Sequence, residues 1–259
     1  MRAQWLTSTS YRLQTLLSFF GMIVSLIPLY FVAQALQPLM ADSITDEGDQ
    51  YFGFIVVGMM VMYLLNSAVR TLPAAVRSGI NHGTLEALLS TPAGLPAILS
   101  GMLGVDLLWA SLRVFVLLIG GWTLGIQVAW EGLLPMLVIM VLLILAYLPF
   151  GLVGAALVLL FRTPGPVPAM VISLSILLGG VYYPTHVIPS WIQDISDVIP
   201  LTYGLHALRQ VLLEGVTLSL VASDIGVLFI FVFLFFTVGV LTFATAFRYA
   251  RRSGTLTQY

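Results

Sequence analysis

Residues Leu133–Leu160 read LLPMLVIMVLLILAYLPFGLVGAALVLL, with no charged side chain among them. A helix crosses the hydrocarbon core of a bilayer with about 20 apolar residues. This stretch is longer than a span needs and carries Pro135, Pro149, Gly151 and Gly154, so tilt or a kink is expected there. Five further apolar runs lie to either side: 16–36, 51–69, 105–126, 169–183 and 225–247. Backbone polar groups in lipid must pair within their own segment, so such runs read as helices. The period-two alternation of a membrane β-barrel is absent. The expected fold is therefore all-α, a single transmembrane domain over 1–259 with six crossings.

Composition excludes the alternatives. Hydrophobic residues make up 59% of the chain and charged residues 8%, against about a quarter charged in soluble domains. The mean hydropathy is +1.05. There is no cysteine, which excludes disulfides, thiolate metal sites and a cysteine nucleophile. Every basic residue is an arginine.

The arginines orient the chain. Arg2 and Arg12 precede the first run; Arg70 and Arg77 follow the second; Arg162 follows the fourth; Arg248, Arg251 and Arg252 follow the sixth. The opposite loops hold Asp42, Asp46, Glu47, Asp49, Glu131, Asp194, Asp197, Glu214 and Asp224, with Arg209 as their one arginine. This alternation places both termini in the cytoplasm and the chain in the cell membrane. A rival reading takes Ala33-Gln34-Ala35 as a signal-peptide cleavage site, leaving five spans. The length of the first run favours a span.

Three polar segments remain. The N-terminal stretch, with Trp5, Leu6, Tyr11 and Leu13, fits an interfacial anchor. In the cytoplasmic segment after the second run, Asn81 is placed to cap a short helix in which Leu85, Leu88 and Leu89 share a face before Thr91-Pro92 stops it. Such a helix lies on the membrane surface or fits a groove on a soluble partner, and pattern alone leaves both open. In the outer segment, residues 190–214 form two short helices, the second starting at Pro200 with a Leu201, Leu205, Leu208, Leu212 stripe and closing at Gly215. With the short fifth run they suggest re-entrant pieces; lying flat on the membrane is the alternative.

Two motifs resemble the ABC type 2 transporter permeases. Gly83-Thr84-Leu85-Glu86-Ala87-Leu88-Leu89-Ser90-Thr91-Pro92 is similar to that family's coupling-helix pattern. Ile199-Pro200-Leu201-Thr202-Tyr203, followed by Ala207-Leu208-Arg209, is similar to its Pro-Leu-Thr-Tyr … Leu-Arg motif. His82 departs from the lysine or arginine common before the first glycine. The resemblance implies the membrane subunit of an exporter, paired with a second copy or a related permease, and docked through Gly83, Thr84, Leu85, Glu86, Leu88 and Leu89 onto a separate ATPase subunit. That partner would bind ATP and Mg. This chain has no Gly-x-x-x-x-Gly-Lys-Ser/Thr loop and no lysine, so no P-loop is present to cradle a nucleotide. The outer motif residues would be Pro200, Leu201, Tyr203 and Arg209.

Other polar residues have plainer readings beside functional ones. Asp106 and Arg113 share a face of the third run, about 10 Å apart along the axis, too far for a direct pair. They suit snorkelling or structural pairing, or else a role in switching. Asn66 suits a hydrogen bond between helices or a place on the path. Gly121-x-x-x-Gly125 permits close helix packing. The scattered His82, His186 and His206 do not make a metal site. No cofactor, metal, catalytic residue or nucleic-acid partner is expected in this chain. A path with Gln34, Gln37 and Asn66 nearby suits an amphipathic, lipid-like, drug-like or glycan substrate. The alternative function is a secondary transporter or channel, against which stand the lack of an internal repeat and the scarcity of deep charges.

Overall fold

A computed structural model of the chain describes residues 12–47, 50–83 and 94–252. Its helices are α1 (Arg12–Met40), α2 (Tyr51–Asn81), α3 (Gly94–Thr123), α4 (Leu133–Phe161), α5 (Val167–Leu178), α6 (Ser190–Ser196), α7 (Pro200–Arg209) and α8 (Ala222–Arg252). The fold of the described residues is all-α. Five helices, α1 to α4 and α8, are long and apolar enough to cross a membrane.

The expected boundaries move in three places. The second crossing continues as helix past Arg70 and Arg77 to Asn81, and the third begins eleven residues earlier than expected, at Gly94. In both, polar residues of the flanks stay helical because an α-helix satisfies its own backbone wherever it emerges from lipid. Asn81 is thus the last residue of α2 and not the cap of a new helix; His82 Nδ1 bonds Ser78 O at 2.8 Å, and Gly83, at φ +63°, turns the chain. The run 169–183 is helical only as far as Leu178, and the chain then turns at Gly180, at φ +77°. At twelve residues, α5 is about 18 Å long, short of a hydrocarbon core of about 30 Å.

Helix α2 is the core. It packs on α1, α3, α4, α5 and α7, and nearly its whole surface from Tyr51 to Val69 is buried. Small residues let its neighbours come close. A Cβ at Gly151 of α4 would lie 2.6 Å from the Ala68 carbonyl oxygen of α2, and one at Gly58 of α2 would lie 2.6 Å from the Val181 carbonyl oxygen. Helix α4 fills the space between α2 and α8 and stays one continuous helix through Pro149 until Arg162, at φ 62°, ends it in a left-handed turn. The buried Tyr147 and Ser175 hydroxyls bond at 2.7 Å and join α4 to α5. Helices α1 and α8 leave most of their apolar side chains exposed, Phe31 and Phe233 among them. The pair Gly121 and Gly125 does not form a helix contact: α3 ends at Thr123, and Gly125, at φ +103°, belongs to the turn beyond it.

Candidate functional site

Helix α7 starts where Pro200 supplies a preset φ and needs no N–H partner. Leu201, Leu205, Leu208 and Leu212, spaced at helical period, are all within 1% of full burial and face α2 and α4. The polar face of α7 is tied to the preceding helix: Thr202 Oγ1 donates to Ser196 O at 2.8 Å and Tyr203 Oη to Asp197 O at 3.0 Å. The helix then widens into a π-turn over Gln210–Glu214 and closes at Gly215, at φ +71°.

At the end of α7, Arg209 is 2% exposed, the largest of the fully buried side chains. Its Nη1 donates to Glu47 Oε2 at 2.7 Å; its Nη2 donates to Gly180 O at 2.8 Å and Phe54 O at 3.2 Å; its Nε reaches Phe54 O at 3.3 Å. The guanidinium carbon sits 3.3 Å from the centre of the Phe54 ring. One side chain thereby joins the turn Thr45–Glu47, the start of α2, the turn after α5, and α7. A buried cation persists only when paired and hydrogen-bonded, and the flat five-donor fork of arginine suits a cage of carbonyls and a carboxylate.

One turn earlier, His206 Nδ1 lies 2.7 Å from Asp224 Oδ2 at the start of α8. The hydrogen bond to Asp224 pushes the His206 pKa up from 6.5, while partial burial pulls the other way. Between the two pairs is a cavity of about 180 Å³ lined by Glu47, Gly180, Tyr203, His206, Arg209 and Asp224 among others. The site is a pair of charge clamps. It contains hydrogen-bonding and ionic groups.

The remaining expected residues fall elsewhere. Asp106 does not reach Arg113; its Oδ2 accepts a 2.7 Å bond from Thr71 Oγ1 and so ties α3 to α2. Asn66 Nδ2 donates to Met62 O, one turn back on the same helix, at 2.9 Å, and among the described residues it makes no bond to another helix. It also lies away from the glutamines: Gln34 and Gln37 line a separate cavity with Gln50. Of the coupling residues only Gly83 is described; Thr84, Leu85, Glu86, Leu88 and Leu89 lie outside the described residues, as does the anchor stretch with Trp5 and Tyr11. Glu47, Phe54, His206 and Asp224 escaped the sequence reading as a group. The signal available was a single arginine among the nine carboxylates of the acidic loops.

Two comparisons bear on these features. The profile of the ABC-2 type transporter membrane family matches residues 1–213. The chain is 24% identical to nodulation protein J of Neorhizobium galegae over 200 residues, covering 74% of this chain and 73% of the relative. It is 25% identical to the inner membrane transport permease YadH of Escherichia coli K12 over 195 residues, covering 74% of each.

Proposed function

The chain belongs to the ABC-2 type transporter family as its membrane permease, a non-catalytic subunit, and from this premise we propose that it exports an amphipathic or lipid-like substrate with ATP hydrolysed by a separate ATPase subunit. The observation that carries this reading is the family match, which runs through both motif regions, Gly83–Pro92 and Pro200–Arg209. A permease alternating between two packings needs an external free-energy difference of about 5 kcal/mol to invert its populations. In this proposal ATP supplies it through a cytoplasmic helix after Gly83, with Leu85, Leu88 and Leu89 seated in the ATPase and Glu86 as a polar contact. A second permease, a copy or a relative, completes the transporter. The YadH relative is an inner membrane transport permease, which supports placement of this chain in the inner membrane.

The proposal keeps six crossings with both termini cytoplasmic. Its support is a path through the bundle. Gly154, on the inner half of α4, abuts Pro73 of α2 and Pro168 at the start of α5; Gly180, just past α5, bonds Arg209 beside Phe54 near the opposite end of α2. The chain thus traverses much of the bundle's depth through α5 although that helix is short. Helices α6 and α7 then form an outer re-entrant pair, with α7 shielded by α2, α4 and α8, as backbone in lipid requires.

The test is co-purification and transport. Full-length chain expressed with its ATPase is expected to carry the ATPase through affinity purification, and Glu86→Arg to weaken that association while membrane insertion is unchanged. Export into vesicles without nucleotide or a second subunit would establish the secondary-transporter alternative instead.

A further inference from the structure

The outer end of α8 is held by few contacts. Besides its packing on α4, the helix meets α7. There Val221 and Leu228 are buried, the Tyr203 and Phe231 rings lie 6.1 Å apart, and His206 Nδ1 donates to Asp224 Oδ2 at 2.7 Å. Among the described residues this is the one ion pair between α7 and α8. Phe229, Ile230 and Phe233, just beyond, are exposed. The His206 side chain is itself 42% exposed and lines the cavity of about 180 Å³, so protons reach it from solvent.

The cavity combines one fixed pair with one variable pair. Arg209 spends its donors on Glu47 and on backbone carbonyls, so that carboxylate stays paired. With the imidazole protonated, two cations face two carboxylates. With it neutral, Asp224 keeps only an uncharged N–H, a bond about half as strong as the charge-assisted one. The charges acting on His206 are those of Asp224 from α8, Glu47 from the turn before α2, and Arg209 from its own helix. The other ionisable groups nearby are engaged elsewhere: Tyr203 with Asp197 O, Tyr51 of α2 with Tyr182 O, and Tyr147 of α4 with Ser175. Gln210, which opens the π-turn, suits both states of the ring. Its amide lies 3.3 Å from His206 Nε2, donating through Nε2 to the neutral ring or, turned over, accepting through Oε1 from the charged one.

We propose that His206 and Asp224 form a proton-operated latch on the outer end of α8, closed while the imidazole is protonated and released as the outer medium turns alkaline. Release leaves the Asp224 and Glu47 carboxylates in one cavity with a single cation, so water enters and the first turn of α8 parts from α7. The bond to Asp224 raises the ring's pKa from 6.5. The latch is therefore complete below that ordinary value and loosens as pH rises through the higher one. By the same linkage, parting the helices lowers the ring's proton affinity and releases a proton. An exporter opens on its outer side to discharge, so acidity outside holds this one shut. That bearing on transport rests on the export reading above, whereas the latch is a property of the α7–α8 contact.

Hydrogen exchange of the full chain in phosphatidylcholine nanodiscs, corrected for the chemical exchange rate, tests the latch between about pH 5.5 and 8.5, where histidine titrates. Protection of residues 222–230, relative to 57–69 in α2, should fall about two- to fivefold toward the alkaline end, the range of one partly exposed ion pair. His206→Gln and Asp224→Asn should each hold the ratio flat at the wild-type alkaline level, and His186→Gln should keep the fall. In the wild-type chain the fall should share its midpoint with the His206 ring followed by NMR, and Asp224→Asn should lower that midpoint. A flat wild-type ratio, a fall that survives His206→Gln, or one lost in His186→Gln would overturn the proposal. Nanodiscs expose both faces and the measurement needs no ATPase. A flat ratio thus strikes the latch and leaves the export reading, while transport independent of ATP strikes that reading and leaves the latch.

Discussion

Arg209 shows how one residue can set the arrangement of several distant segments. Its carboxylate partner Glu47 is 162 positions away and its carbonyl partners lie on two other elements. Removing one member of a buried pair costs about 3–5 kcal/mol because the other charge is stranded. Arg209→Met should therefore lower the thermal unfolding midpoint strongly in detergent. Arg209→Met combined with Glu47→Leu should recover much of that loss, and a double variant no better than the single would refute the pairing. The sequence singled out Arg209 as the lone cation of the acidic loops, but no local pattern distinguishes Glu47 from Asp42 or Asp46 as its partner. The His206–Asp224 pair was equally hidden, since it depends on α7 and α8 meeting in space. Because the His206 pKa is raised in the fold, its contribution is complete below 6.5, the unfolded value, and fades as pH rises through the higher folded value. The stability lost in His206→Gln should accordingly be largest in mildly acidic solution and shrink toward alkaline pH. Melting curves of the two proteins across that range that run parallel would exclude the linkage.

At the scale of elements, an unbroken apolar run of span length made α4 legible, and helical periodicity did the same for the leucine stripe of α7. Pro200 and Gly215 marked where α7 begins and where its π-turn ends, since each acts on its own backbone. Helix ends elsewhere moved because polar side chains at a membrane surface carry no penalty that would stop a helix, as at Arg70 and Arg77 of α2. The short α5 was legible as an anomaly, but its role was not, because that depends on where Gly180 lands. The same landing explains Gly58. Its missing Cβ lets the Val181 carbonyl approach α2, and that oxygen accepts from Arg209 Nη2 at 3.3 Å, beside the Gly180 oxygen that accepts at 2.8 Å. Gly58→Ala should push this turn outward and destabilise the fold by about 1–3 kcal/mol, as overpacking does. Its cost should overlap that of Arg209→Met rather than add to it; a double variant whose losses sum fully would separate the two features.

For the whole molecule, the decisive relation is that the first turn of α8 places Asp224 beside His206, while α4 ends at Phe161, toward the far end of the bundle. If the chain between them crosses, α8 returns to the Arg162 side; if α5 merely dips in and comes back, α6 and α7 belong to the side that holds Arg162. The charge partition of the loops favours the first, because the intervening segment carries Asp194, Asp197 and Glu214 while the Arg162 side carries arginine. A chain without cysteine makes the two topologies separable by single introduced thiols. Ser43→Cys and Ser190→Cys should react with a membrane-impermeant maleimide added outside intact spheroplasts, and Thr163→Cys and Ser253→Cys only after permeabilisation. Residues 43 and 190 labelling together from outside requires a passage within 164–189. Residues 163 and 190 labelling from one side would reduce the crossings to five.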